Sequence, residues 1–211
     1  MIFNKNMLLL YAVSDRKQGQ ALYEQIESAL KGGVTIVQLR EKSLSDAEFI
    51  EEAIKIRELC HSYNVPLIIN DKVDVALKCG ADGVHVGIED EPVAEIRRRV
   101  GADFIIGATA KTVEQAQAAE LSGADYLGVG AVFPSPTKQN AIRITKEKLH
   151  EICSSVSIPA VAIGGIGLGN AAELAGGGMS GIAVSSAIFA AEDIEKTTAE
   201  LRKKAEELLK K

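Results

Sequence analysis

The sequence predicts an α/β protein of the (β/α)8 barrel class, a parallel barrel of eight strands ringed by helices, and three observations carry that reading. Short β-branched runs recur eight times, each followed by a polar or glycine-bearing turn and a stretch with helical period. The runs are apolar on both faces, as strands enclosed between a barrel interior and an outer helix layer must be. The 211 residues divide into about 26 per unit, the compact limit of a fold that typically takes ~250 residues. An open doubly wound sheet shares the alternation. Eight units, and Ser14-Asp15-Arg16 in place of a GxGxxG fingerprint after the first strand, argue against it.

In chain order the expected strands are Leu8 to Val13, Val34 to Leu39, Leu67 to Ile69, Gly83 to Val86, Phe104 to Ile106, Tyr126 to Val129, Ala160 to Ile163 and Gly181 to Val184. Helical period marks Asp46 to Tyr63 and Val113 to Leu121, and Ala191 to Lys211 reads as a closing amphipathic helix. Gly32-Gly33, Gly80-Ala81-Asp82-Gly83, Gly123-Ala124-Asp125 and Gly176-Gly177-Gly178 stand before strands, where glycine closes a helix in the left-handed conformation. No linker-like stretch breaks this rhythm, so residues 1–211 are expected to form a single barrel domain.

Composition narrows the function. Lys plus Arg number 24 against 29 Asp plus Glu, a net charge of −5 with no single-sign run, which argues against a nucleic-acid partner. Aromatics are 4% and Trp is absent, leaving little material for base stacking or a membrane belt. The longest apolar run, Met7 to Val13, falls far short of the ~20 residues a membrane span needs, and Ser14-Asp15-Arg16-Lys17 follows it rather than a cleavage site. Cys60, Cys79 and Cys153 are scattered without a CxxC pair, which fits a reducing cytoplasm and structural roles. Small molecules are the expected partners. The oligomeric state is left open, a homo-oligomer included.

In such a barrel the chemistry sits at the carboxyl ends of the strands. The second strand ends Gln38-Leu39-Arg40-Glu41-Lys42, and alternation aims Gln38, Arg40 and Lys42 to the side of Val34 and Ile36. A solvated salt-bridge strand would not put charge on the face that is apolar lower down, so this trio reads as an anion clamp. Asp71 and Asp90 end the third and fourth units and offer hard oxygen ligands for Mg²⁺, though each equally fits a helix cap. The loop after the sixth strand, Phe133-Pro134-Ser135-Pro136-Thr137-Lys138, stiffens two hydroxyls and an ammonium with proline. Gly164-Gly165-Ile166-Gly167 and Val184-Ser185-Ser186-Ala187 stand where such barrels bind phosphate through backbone N–H groups, although glycine also serves tight packing. His85 lies inside a strand and reads as a core histidine rather than a base.

Taken in order, these residues resemble the thiamine phosphate synthase family over essentially the whole chain. The resemblance rests on Gln38-Leu39-Arg40-Glu41-Lys42, Ile69-Asn70-Asp71, Asp82-Gly83-Val84-His85-Val86-Gly87 with Glu89-Asp90, Gly128-Val129-Gly130 with Phe133-Pro134, Thr137-Lys138, and Ala162-Ile163-Gly164-Gly165-Ile166. It implies a triose-phosphate-isomerase-type (TIM) barrel and a transferase that joins hydroxymethylpyrimidine diphosphate to a thiazole phosphate with Mg²⁺, releasing pyrophosphate. By position, Gln38, Arg40, Lys42, Asn70 and Lys138 would face the pyrimidine and its diphosphate, Asp71 and Asp90 would hold Mg²⁺, and Thr109 would stand near the leaving diphosphate. Ser135, Thr137, Gly165, Ser185 and Ser186 would line the thiazole phosphate pocket, with Lys138, Arg40 and Lys42 catalytic. The implied cations, Mg²⁺ and carboxylates sum to about +3 toward a diphosphate of roughly −3.

The chain departs from the family pattern at several positions: Ile88 for Gln, Ser135 for Thr, Thr109 for Ser, Lys111 for His and Asn140 for Asp. Alternation would place Ile88 on the face of Val84 and Val86, where it would offer only apolar bulk. Two other readings share the barrel. A thiazole tautomerase-like isomerase would need a proton-transferring group but no diphosphate clamp, and a thiazole-phosphate-binding regulator would lose the metal carboxylates. The clamp and both carboxylates are present.

Overall fold

A computed structural model describes residues 2–16, 21–134 and 143–210. Eight parallel strands close on themselves in chain order. They are β1 (Leu10–Val13), β2 (Ile36–Leu39), β3 (Leu67–Asn70), β4 (Gly83–Val86), β5 (Ile105–Ala110), β6 (Tyr126–Gly130), β7 (Ala160–Ile163) and β8 (Gly181–Val184). The helices are α1 (Leu22–Lys31), α2 (Asp46–Ser62), α3 (Val73–Cys79), α4 (Val93–Val100), α5 (Val113–Leu121), α6 (Lys146–Ser154), α7 (Ser186–Phe189) and α8 (Ile194–Leu209). The seventh unit breaks the expected rhythm, because only a 3-10 turn, Ala171–Leu174, follows β7.

Local chemistry sets the boundaries. Helix α2 begins in a capping box, with Ser45 accepting from the Glu48 N–H while Glu48 reaches back to Ser45. Asp193 caps α8, so the last helix starts later than Ala191. Among the predicted glycine turns, Gly33, Gly80, Gly123, Gly176 and Gly178 take positive φ, whereas Gly32 stays right-handed. The expected first strand loses its start to a 3-10 turn, Lys5–Leu8, which tucks Leu8 under the barrel.

Two apolar clusters follow from strand alternation. Val37, Leu39, Ile69, Val84, Val86 and Leu127 face the helices, whereas Tyr11, Ile36, Ile68, Ile105, Tyr126 and Val161 fill the barrel. Burying each large side chain stabilises by about 1.5–3 kcal/mol. Val34, expected on the inner face, precedes β2 and packs in the outer cluster. Strand β5 runs four residues past its expected end. Small residues are required there: a Cβ on Gly107 would lie 2.1 Å from Tyr126 Cζ and 2.5 Å from His85 Nδ1. Gly107→Ala should therefore destabilise the protein by about 3 kcal/mol or more, read as a lowered urea midpoint.

Candidate active site

At the carboxyl ends of the strands lies a cavity of about 200 Å³. Gln38, Arg40, Asn70, His85, Thr109 and Lys111 form its polar wall, and Gly165, Ser185 and Ser186 stand on the side of β7 and β8. A second, more open compartment shares Gly165, Ile166 and Ser186 with the first and continues over Gly167, Gly169, Asn170 and Asp15. Gly165 has φ +66°, and a Cβ there would lie 2.2 Å from the Pro134 carbonyl. Asn170 braces this loop by accepting from the Gly167 N–H at 2.9 Å and donating to the Gly165 carbonyl at 2.9 Å.

Backbone contacts hold Arg40 just beyond the end of β2. Its N–H donates to Ser14 Oγ at 2.8 Å, and the Ser14 N–H donates to the Gln38 carbonyl at 2.9 Å. Glu41 then turns the chain, accepting from the Lys42 and Ser43 N–H groups at 2.7 Å each and from Arg16 Nε at 2.8 Å. This turn ends the alternation, and Lys42 is exposed rather than lining the cavity beside Gln38 and Arg40. Burial alone would raise the Glu41 carboxyl, but the Ser43 N–H, Arg16 and the Lys42 N–H outweigh it and hold the pKa at about 2. The contribution of Glu41 is therefore present above its ordinary value of 4.5 and is lost as pH falls toward about 2. The difference in urea midpoint between wild type and Glu41→Gln should be constant above about pH 5 and shrink below about pH 4.

Asp71 and Asp90 meet at the rim, each beyond its strand. Asp71 adopts φ +62°, a conformation uncommon outside glycine. Its N–H donates to the His85 carbonyl at 2.8 Å. Asp90 accepts from the Gly87 N–H at 2.6 Å. Neither caps a helix: the N-cap positions of α3 and α4 are Lys72 and Pro92, and no side chain caps either helix. Desolvation, the Asp90 charge and their mutual hydrogen bond push the Asp71 carboxyl up to about 6, against weaker opposing effects of Asn70 and Arg40. A carboxylate whose charge is disfavoured by burial and by a second carboxylate beside it suits a divalent cation. From α4, Arg99 ties the turn after β4 to α3, its Nη1 donating to both Glu91 oxygens at 2.7 and 2.9 Å and its Nη2 pairing with Asp74. Among the described residues no group of three or more His, Cys, Asp or Glu side chains gathers as a metal cage.

A family model described as thiamine monophosphate synthase matches residues 10–188. The chain belongs to the thiamine monophosphate synthase family. The thiamine-phosphate synthase of Clostridium acetobutylicum is 47% identical over 188 residues, covering 88% of this chain and 89% of the relative. Thiamine-phosphate synthase 2 of Streptococcus pneumoniae is 44% identical, with coverage of 98% and 99%. Among solved structures, the thiamine phosphate pyrophosphorylase of Pyrococcus furiosus aligns with a TM-score of 0.90 at 43% identity, covering 97% of this chain and 98% of that one.

For a thiamine monophosphate synthase family member, three departures now have places, and Thr109 is on the cavity wall. Ile88 is 49% exposed in the turn after β4 and does not line the cavity, because Val84 and Val86 face the helices and the alternation ends at Val86. Lys111 does line it and sets a second cation on the wall with Arg40. Ser135, Thr137, Lys138 and Asn140 lie outside the described residues. His85 has the partners of a core histidine, Tyr126 and Thr109, yet also faces the cavity. Ser14 and Asn170 escape sequence reasoning because they act on backbone groups, Ser14 on Arg40 across to the next strand and Asn170 on Gly165 and Gly167 of its own loop, a role with no spacing signature.

Proposed function

We propose that this chain joins hydroxymethylpyrimidine diphosphate to hydroxyethylthiazole phosphate, giving thiamine phosphate and pyrophosphate. One observation carries the reading at the level of the site: two compartments share the wall of Gly165, Ile166 and Ser186. The first carries cations and amides suited to a diphosphate on a heterocycle, and the second carries a glycine and serine loop suited to a phosphate. Gln38, Asn70 and Thr109 position the pyrimidine substrate. Arg40 from the cavity wall, Lys42 from the exposed turn beyond it, and Lys138 oppose the charge of its diphosphate, and Gly165, Ser185, Ser186, Ser135 and Thr137 take the thiazole phosphate.

The bond from the pyrimidine methylene carbon to the diphosphate oxygen breaks first, its electron pair leaving with the diphosphate. The thiazole nitrogen then donates its lone pair to the resulting carbocation. No protein nucleophile is required, so the chain's own contribution is orientation and charge placed in advance. Asp71 and Asp90 would hold Mg²⁺, which when bound offsets charge on the diphosphate. An isomerase would have no use for the clamp, and a phosphate-binding regulator none for the paired carboxylates. Residues 1–211 act as one barrel domain in this reading. The three free cysteines suit a reducing cytoplasm, and among the described residues no helix is long and apolar enough to cross a membrane. Incubating the protein with both substrates and Mg²⁺ should yield thiamine phosphate by mass spectrometry, and chelation should stop it. Absence of product with both substrates and metal present would overturn the assignment.

A further inference from the structure

A chain of buried hydrogen bonds crosses the barrel beneath the cavity. Gln38 Nε2 donates to the Tyr11 hydroxyl at 2.8 Å, Tyr11 and Tyr126 hydroxyls lie 2.7 Å apart, Tyr126 reaches His85 Nδ1 at 3.2 Å, and His85 Nε2 meets Thr109 Oγ1 at 3.1 Å. Gln38 and His85 are 4% and 8% exposed, and both tyrosines are fully enclosed. Burial raises both phenol pKa values above the ordinary tyrosine value, so each keeps its proton to donate. The fold makes room for this chain. A Cβ on Gly107 would lie 2.3 Å from the Tyr126 hydroxyl, and one on Gly128 would lie 2.9 Å from His85 Cε1.

The Tyr11–Tyr126, Tyr126–His85 and His85–Thr109 contacts each allow either partner to donate, and the first link selects the polarity of the chain. Tyr11, having accepted from Gln38, has its own proton for Tyr126. Tyr126 in turn donates to His85 Nδ1, which places the imidazole proton on Nε2, where it donates to Thr109. Gln38 Oε1 and the Thr109 proton are then directed to the cavity that both residues line. We propose that Tyr11, Tyr126 and His85 are positioning residues, a directional relay that makes Gln38 an acceptor and Thr109 a donor on the two sides of the cavity. The inference rests on the reading of Gln38 and Thr109 as substrate contacts. Under it the site selects a substrate with a hydrogen-bond donor toward Gln38 and an acceptor, such as a diphosphate oxygen, toward Thr109.

Reversing one end should reverse the other. In Gln38→Glu the ionised side chain only accepts, so Tyr11 must donate to it, Tyr126 to Tyr11, and His85 Nδ1–H to Tyr126. Nitrogen-15 NMR of the substrate-free protein, with His61→Gln and His150→Gln to isolate His85, should show the proton on Nε2 in the otherwise wild-type chain and on Nδ1 in Gln38→Glu. The same tautomer in both, or Nδ1–H in the wild-type relay, would overturn the proposal. Steady-state kinetics supply the second readout. Tyr11→Phe and Tyr126→Phe should each raise KM for the pyrimidine diphosphate about tenfold, leave KM for the thiazole phosphate within about twofold, and combine without multiplying, because both interrupt one chain. Equal changes in both KM values, or effects that multiply in the double variant, would reduce the tyrosines to packing residues. A failed synthase assignment would show separately, as no pyrophosphate release by wild type, while the NMR result still decides the relay.

Discussion

Arg40→Ala should lower kcat/KM for the pyrimidine diphosphate by about 10²–10³-fold, the largest loss expected of any single substitution among the described residues. The guanidinium lines the cavity, while Ser14 fixes its backbone from β1, so its position is prepared before substrate arrives. Preorganised charge is what a departing diphosphate needs, since negative charge gathers on the leaving oxygen as the carbon–oxygen bond breaks. Arg40→Lys should recover only part of the loss, because an ammonium cannot reproduce the two-pronged guanidinium contact. Steady-state kinetics with the thiazole phosphate saturating check both statements. An Arg40→Ala enzyme within about threefold of wild type would remove Arg40 from the clamp.

Asp71→Asn and Asp90→Asn should each lower activity tenfold or more at limiting Mg²⁺, about the scale on which metal sites respond to loss of supporting groups. Asparagine suits this test at Asp71 because it tolerates the left-handed backbone at φ +62°, so the substitution removes charge while keeping the turn. Burial and the neighbouring Asp90 charge raise the Asp71 pKa, and each variant removes part of that unfavourable charging, so neither should lose stability at neutral pH. Raising Mg²⁺ should restore part of the activity. A Mg²⁺ titration of initial rates, paired with a urea midpoint, separates a metal role from a structural one.

The order of the eight strands was legible because each is short, apolar and punctuated by polar or glycine-bearing turns, and these are local properties. Strand β5 shows where local reading stops. Gly107-Ala108-Thr109-Ala110 lacks the bulk that marks a strand, and the reason for that lack lies on β4 and β6, in the space taken by His85 and Tyr126. The missing α-helix of the seventh unit is a similar case, since its glycine-rich run spends the chain on a loop around the second compartment. At the site, Gln38, Arg40 and Asn70 could be found because polar residues ending apolar runs stand out, whereas Thr109, beyond the expected end of its strand, entered only through the family resemblance. The position of Lys42 could not, because it depends on Glu41 capturing two backbone N–H groups and ending the alternation early. Tyr11 and Tyr126 stand in the sequence only as members of apolar runs, and only the folded barrel brings hydroxyls 115 residues apart within 2.7 Å.

Pyrophosphate release by the purified protein, followed with the pyrimidine diphosphate alone, with the thiazole phosphate alone and with the two together, tests the central claim most directly. If the two compartments hold two substrates of one condensation, sustained release requires both, one pyrophosphate appears for each thiamine phosphate formed, and Arg40→Ala suppresses it. Release at the full rate from the pyrimidine diphosphate alone would describe a hydrolase, and no release from the pair would describe a barrel that binds these compounds without joining them. Either result would contradict the account.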